Sequence, residues 1–116
     1  MCTQNDSLKL MAEDDLELTC FQLVAQAGAA RSSFVEAIDK AERGDFEAAA
    51  LSIDDGDVHF NAAHEIHMRL LQKEADGEQL AFRIILLHSE DLMAGAEILR
   101  IMAQKFIKLY RHVGKE

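Results

Sequence analysis

The chain has 116 residues, which is enough for one compact domain and too few for two. It contains no proline, no tryptophan and only six glycines, while helix-forming residues such as Ala, Leu, Glu and Lys are abundant. A formal net charge of −9 argues against nucleic-acid binding and against attachment to an anionic membrane surface. The composition therefore predicts an acidic, all-α single domain.

The N-terminal residues lack the charged start and apolar core of a signal peptide, and no apolar segment approaches the ~20 residues of a membrane span. We therefore expect a soluble cytoplasmic protein without membrane insertion. Residues 1–13 are polar and uneven and predict a flexible N-terminal arm, and residues 14–116 predict the folded domain. Cys2 lies in the arm and Cys20 on an apolar stripe, so we expect no disulfide and a buried Cys20 thiol.

The first predicted helix starts at Asp14. Apolar residues then recur at spacings of three and four as far as Ala41, which is one face of a helix. Gly44 suits the position after the helix end, and Asp45 suits the N-cap of the next helix. Gly28 lies inside the first helix, where we expect a local bend or a tight helix contact.

Two further helices follow. The second starts at Phe46, and Gly56 in its middle predicts a weak point. Its predicted apolar side consists of Phe46, Ala50, Ile53, Phe60, Ala63, Leu70 and Leu71. Residues 74–78 predict the next turn, and the third helix is predicted from about Glu78 to His112. Because short connections make neighbouring helices antiparallel, the sequence predicts an up-down-up three-helix bundle, similar in form to a spectrin repeat.

The third helix is apolar over more of its circumference than two neighbouring helices can cover. Its polar residues fall on one narrow stripe, which consists of Arg83, Glu90, Glu97, Gln104, Lys108 and Arg111. We therefore expect oligomerisation through this helix. The alternative is that a large hydrophobic core within one chain buries these apolar residues.

The stretch ILLHSEDLM, residues 85–93, places His88 in an apolar run and Asp91 one turn further along the same face. The row continues through Ile98 and Met102, so Asp91 lies on a packing surface, where a carboxylate needs a partner or a cation. A neutral imidazole can act as a nucleophile, so His88 is a candidate for covalent catalysis. A packed histidine without chemistry and a rim aspartate that reaches water are the alternatives.

Asp57, His64 and His67 fall on one side of the second helix and form a rival site. Two histidines at i, i+3 resemble a pair of zinc ligands. However, the helix rise separates Asp57 from His67 by about 15 Å, so the three residues cannot meet at one ion. Spacing therefore favours polar contacts within or at the edge of the bundle, with a zinc site at His64 and His67 as the rival.

Three segments, taken in order, resemble the lactose/cellobiose-type IIA component of the sugar phosphotransferase system. They are AGAARSSFVEAIDKAERGDFEAA (27–49), FNAAHEIHMRLLQKEADGE (60–78) and ILLHSEDLM (85–93). The family pattern is approximately G-x-A-R-S, A-x-x-G-D-F-x-x-A, N-E-A-H-x-x-Q and a late V-H-A-x-D-x-L-M. The similarity covers about residues 14–112.

The resemblance implies a homotrimer of three-helix bundles. It implies that His88 accepts phosphate from the phosphocarrier protein HPr and passes it to a cysteine of the IIB component, which serves the membrane transporter IIC. It also implies one Mg²⁺ per trimer, shared by Asp91 of three chains. The implied function is a cytoplasmic phosphotransferase component with a phosphohistidine intermediate, not a stand-alone enzyme, for uptake of a β-linked disaccharide.

The chain departs from the family pattern at several positions. Ser89 stands where the pattern has Ala, Ala62 replaces Glu, and His67 replaces Gln. Asp91 is followed directly by Leu-Met instead of by one intervening residue. None of these changes removes a reacting atom. A diverged trimeric regulatory or scaffolding module, which binds partners without phosphotransfer, is the alternative function.

Overall fold

The computed structural model describes residues 2–114, with side chains from Asp15 onward. Three helices follow one another, α1 (Cys2–Glu42), α2 (Phe46–Ala75) and α3 (Ile84–Val113). No strand occurs between residues 2 and 114, so the predicted all-α class is confirmed. None of the helices within this range is long and apolar enough to cross a membrane. Met1 of the predicted arm and residues 115–116 of the predicted domain lie outside the described residues.

The first helix begins earlier than the sequence predicted. It extends back to Cys2, whereas the pattern placed its start at Asp14 after an arm over residues 1–13. Residues 2–13 contain neither proline nor glycine to interrupt a helix. The predicted start is therefore wrong, while the flexibility of the arm stays a prediction. The side chain of Cys2 lies outside the described side chains, so its free state also stays a prediction.

The turn between α1 and α2 has the predicted chemistry. Gly44 takes a φ of 83°, a left-handed conformation that favours glycine, and its N–H donates to the Ala41 carbonyl at 2.9 Å. Asp45 is the N-cap of α2, and its carboxylate accepts a hydrogen bond from the Ala48 N–H at 3.2 Å. Both predicted roles are confirmed.

The connection between α2 and α3 is longer than predicted. Gly77, with a φ of 93°, follows the end of α2, and residues 78–83 are not helical. As a result α3 begins at Ile84 and not at Glu78. Leu80 packs against the core from within this connection, so burial of its side chain favours the non-helical path over the helix that local propensity predicted.

The core lies along the centre of the bundle in two clusters. The first joins Cys20, Leu23 and Met93 near the connection between α2 and α3. The second joins Phe34 to small residues of α1 and α3. The fully buried alanines of these two helices let their backbones approach closely, and they are Ala27, Ala30, Ala37, Ala96 and Ala103.

The buried side of α2 overlaps the predicted side only in part. Ala63 and Leu70 of the predicted side are buried, whereas Ala50 and Leu71 are exposed, and Ala49 is buried instead of Ala50. The buried residues of α2 are mostly small, namely Ala49, Ser52, Gly56 and Ala63, with Ile66 and Leu70. Close packing against α1 therefore selects the small residues for the interior and moves the larger ones to the edge.

Gly56 occupies a tight contact, and α2 continues through it without interruption. The Phe34 ring fills the space in which a Cβ atom at residue 56 would lie. At Gly28, by contrast, nothing lies within 4 Å of the corresponding position. Of the two alternatives expected at Gly28, the tight contact is thus wrong and is found at Gly56, while the local bend stays a prediction.

Candidate functional site

His88 lies in the second turn of α3, and its side chain is exposed. Among the described residues it forms no hydrogen bond, ion pair or ring contact. An imidazole in this position keeps a ring nitrogen available to a partner from solvent. His88 can therefore act as a nucleophile without first breaking a contact within its own chain.

Ser89 anchors this turn of α3 from the inside. Its side chain is fully buried, and its hydroxyl donates to the Leu86 carbonyl at 2.8 Å. Cys20 of α1, also fully buried, lies beside the Ser89 side chain. Burial raises the pKa of the Cys20 thiol above its ordinary value, and the adjacent Ser89 side chain offsets part of that increase. The thiol therefore stays protonated and packs against α3 near the backbone of His88.

Asp91 lies on an apolar surface that we call the exposed α3 face. This face consists of Ile84, Leu87, Asp91, Ile98, Ile101, Met102 and Leu109, whose apolar members are between 42% and 85% exposed. The buried residues of α3 lie on its other side, toward α1 and α2. Asp91 is exposed and makes no ion pair with His88 or with any other described residue. Contiguous apolar surfaces of this kind are typical of interaction sites.

Glu90 projects to nearly the opposite side of α3 from His88, because residues two apart on a helix face away from each other. Its Oε2 lies 2.6 Å from Nδ1 of His67 on α2, and both side chains are partly buried. The His67 Nδ1 atom is shielded from solvent and is poorly aligned for a hydrogen bond, although the separation is that of direct contact. The His67 side chain thus contacts Glu90 within the bundle.

An ion pair also joins α2 to α3. Arg100 Nε donates to Asp57 Oδ1 at 2.6 Å, and the guanidinium lies 5.5 Å from the centre of the Phe60 ring. The hydrogen bond to Asp57 raises the pKa of Arg100 further above its ordinary value. Arg100 therefore stays charged over the physiological range, and its hydrogen bond to Asp57 joins the two helices.

In the rival site on α2, the side chains of Asp57, His64 and His67 do not converge on one point. His64 stacks on Phe60 with ring centres 6.2 Å apart, and it lies 6.3 Å from the His67 ring. Asp57 is held by Arg100, and His67 is held by Glu90. In the part of the chain that the structure describes, no group of three His, Cys, Asp or Glu side chains could hold a metal ion.

Neither of these contacts between α2 and α3 was predicted from the sequence. Asp57 and His67 are as far apart along α2 as Glu90 and Arg100 are along α3, and the order is reversed. Complementary polar residues at equal spacing in reversed order are the pattern expected of two neighbouring antiparallel helices, so this signal was present. The contact between Cys20 and Ser89 had no comparable signal, because both residues fit equally well as small core residues.

Comparison with known proteins establishes the family. The family model for the lactose/cellobiose-specific IIA subunit of the sugar phosphotransferase system (PTS) matches residues 18–111. The PTS lactose-specific EIIA component of Staphylococcus aureus (strain N315) is 33% identical over 101 residues, which cover 87% of this chain and 98% of that protein. The lichenan-specific phosphotransferase enzyme IIA component of Bacillus subtilis (strain 168) is 31% identical over 103 residues, which cover 89% and 94%.

A solved structure agrees with these relatives. The crystal structure of the PTS cellobiose-specific enzyme IIA from Bacillus anthracis matches with a TM-score of 0.85 at 31% identity. The match covers 87% of this chain and 93% of that one. The segments that carry the resemblance, the three helices and the overall fold thus lead to one assignment. The chain belongs to the lactose/cellobiose-specific IIA family of the sugar phosphotransferase system.

Proposed function

We propose that this chain is a cytoplasmic phosphocarrier that accepts a phosphoryl group from phospho-HPr on His88 and passes it to a cysteine of a IIB component. Membership of the family supports a phosphotransferase role in sugar uptake. The observation that carries the residue assignment is the exposed imidazole of His88, which has no partner among the described residues and lies in the segment that matches the family's late histidine.

In the first transfer, a neutral ring nitrogen of His88 attacks the phosphorus atom of phospho-HPr. A new N–P bond forms as the bond to the HPr donor breaks. Phosphoryl transfer of this kind passes through a loose transition state, so the protein contributes mainly position and charge balance. The buried hydroxyl of Ser89 holds the backbone of this turn, and the imidazole therefore projects from a fixed point into solvent.

In the second transfer, a cysteine thiolate of IIB attacks the phosphohistidine. The P–N bond breaks and neutral His88 is restored. Because His88 is exposed, donor and acceptor can approach the same nitrogen in turn. The relatives are named for lactose, lichenan and cellobiose, which supports a β-linked sugar as the final substrate of the system that this chain serves.

We further propose that three copies assemble as parallel bundles through the exposed α3 face. The up-down-up order of the helices in each copy is supported by the pairs Gln26–His59 and Asp57–Arg100. The apolar side chains of the exposed α3 face would be buried between copies, which supplies the driving force for association. Asp91 of each copy would then lie at the threefold axis.

A Mg²⁺ ion shared by three Asp91 carboxylates fits the donor chemistry of this surface. Mg²⁺ prefers carboxylate oxygens, and the oxygens of Asp91 are not engaged by any described residue of its own chain. One carboxylate per chain is too few to hold the ion, so copies must share it. The ion, when bound, neutralises carboxylates that would otherwise repel one another within an apolar interface.

The test is phosphorylation by phosphoenolpyruvate in the presence of enzyme I and HPr. The wild type should take up one phosphoryl group per chain, and His88→Gln should take up none while keeping its helical circular dichroism and its assembly. His64→Gln and His67→Gln are matched controls and should still accept phosphate. Acceptance by His88→Gln would contradict the assignment, and a wild type that accepts none would favour the scaffolding alternative.

A further inference from the structure

Lys105 lies between Met102 and Leu109 of the exposed α3 face. Its side chain is exposed, and Ile101, Met102 and Leu109, one turn before and after it, are apolar and exposed. Among the described residues Lys105 has no hydrogen bond or ion pair. It is therefore separate from the polar stripe of α3 that carries Lys108, and its charge has no partner within the described chain.

The spacing of Lys105 ties it to Asp91. Asp91, Ile98 and Lys105 follow one another at intervals of seven residues, which is the repeat of a left-handed coiled coil. Residues at this interval face the same partner surface in a parallel assembly. If three Asp91 side chains meet at the threefold axis, three Lys105 side chains meet there too, about 21 Å further along α3 by the helix rise.

The C-terminal half of α3 supplies no acid to balance three lysines. From residue 98 to residue 114 the charged side chains are all basic, and they are Arg100, Lys105, Lys108 and Arg111. Three ammonium groups on an axis repel one another for the same reason that three carboxylates do. The Asp91 layer calls for a cation, and the Lys105 layer calls for a ligand of opposite sign.

We propose that the ring of three Lys105 side chains binds a small tetrahedral oxyanion, of the phosphate or sulfate class, on the threefold axis. This site rests on the proposed parallel trimer. A tetrahedral oxyanion has a threefold axis along each P–O or S–O bond, so it can offer three equivalent oxygens to three ammonium groups. The hydrogen bonds are charge-assisted, and the long lysine stems lie along the apolar face to reach the axis.

Inorganic phosphate is the ligand for the test, and the full-length chain is used with saturating Mg²⁺ in a chloride buffer of constant ionic strength. Sedimentation equilibrium is run at a urea concentration at which trimer and monomer coexist. The trimer dissociation constant of the wild type should fall about tenfold when phosphate reaches ten times its Kd. Lys105→Met should lose this response and form a trimer at least as stable as the wild type without phosphate.

Lys108→Met is the matched control, because it removes the same charge from the polar stripe of the same helix. It should respond to phosphate as the wild type does, and the general stabilisation by phosphate salts acts on all three proteins alike. Equal phosphate responses in the wild type and Lys105→Met would overturn the site. So would a Lys105→Met trimer weakened without phosphate, since the lysine would then have an acidic partner in a neighbouring copy.

The same experiment separates this proposal from the function on which it rests. A stable trimer without a phosphate response overturns the Lys105 site alone and leaves the phosphocarrier function standing. A wild type that is monomeric without urea overturns the trimer, and the Lys105 site with it.

Discussion

Cys20 of α1 and Ser89 of α3 lie side by side at the turn that carries His88. Both side chains are fully buried, and the Ser89 hydroxyl donates to the Leu86 carbonyl. The family pattern has Ala at the position of Ser89, and Ala could not form this hydrogen bond. In this chain a buried hydroxyl thus takes part in fixing the backbone of the turn that carries His88.

The buried position of Cys20 leads to a prediction for its reactivity. In a Cys2→Ser background Cys20 is the only thiol. Because burial raises its pKa, the native thiol should react with iodoacetamide at neutral pH more than about tenfold more slowly than the urea-unfolded thiol. At alkaline pH the unfolded thiol ionises first, so stability should fall as the pH rises above the ordinary thiol pKa. Equal alkylation rates would contradict this placement.

His67 and Glu90 should be energetically coupled. The cycle of His67→Gln, Glu90→Gln and the double variant should give a coupling free energy of about 1 kcal/mol in urea unfolding, since the two side chains touch and are partly buried. All three variants should still accept phosphate on His88, because this contact lies on the other side of α3. Additive effects of the two substitutions would show that the contact contributes nothing to stability.

For individual residues, the sequence predicted positions on a helix better than it predicted contacts between helices. His88 and Asp91 were assigned to one face of a helix from spacing alone, because helical periodicity is a local property. The partners of His67 and Asp57 depend on how α2 is rotated against α3. That rotation is set by packing across the whole bundle, and a helical wheel for one segment does not contain it.

Among the helices, α2 packs tightly at Gly56 against the Phe34 ring of α1. Gly56→Ala should destabilise the protein by about 1–3 kcal/mol, because the Phe34 ring must move to admit a methyl group. Gly28→Ala, in the open position on α1, should be neutral or stabilise by up to about 1 kcal/mol through helix propensity. Urea unfolding followed by circular dichroism measures both, and a Gly56→Ala protein more stable than the wild type would refute the contact.

The ends of the helices show where local rules suffice. The turn at Gly44 and Asp45 was predicted correctly, because a left-handed glycine and an N-cap are determined by the residues themselves. The start of α3 was not, because burial of Leu80 in the connection competes with helix propensity there. The buried side of α2 was predicted only in part, since packing selects small residues that hydrophobicity alone does not single out.

For the molecule as a whole, the proposed assembly rests on the apolar surface that one chain leaves exposed. The sequence predicted this surface because α3 carries more apolar residues than two neighbours can bury. The exposed α3 face bears out that excess of apolar surface. Which molecule covers the exposed α3 face depends on the surface of that second molecule. The pattern of a single helix carries no information about that surface.

Asp91 offers a test of the proposed assembly. In sedimentation equilibrium with EDTA the wild-type trimer should weaken, because three uncompensated carboxylates then repel one another. Asp91→Leu should form a trimer that EDTA does not affect and that is as stable as the wild type or more so. Glu97→Leu removes an exposed carboxylate from the polar stripe of the same helix and should respond to EDTA as the wild type does. A strongly destabilised Asp91→Leu trimer would contradict the placement of Asp91 at the axis.

The proposed function depends on His88 carrying a phosphoryl group from one protein to another. Radiolabel from phosphoenolpyruvate can be followed through enzyme I and HPr to this chain, the labelled residue mapped by peptide analysis, and IIB then added. We expect one acid-labile phosphoryl group per chain, located on His88 and discharged when IIB with its cysteine is added. Label on a different residue, or label on His88 that IIB does not remove, would contradict it.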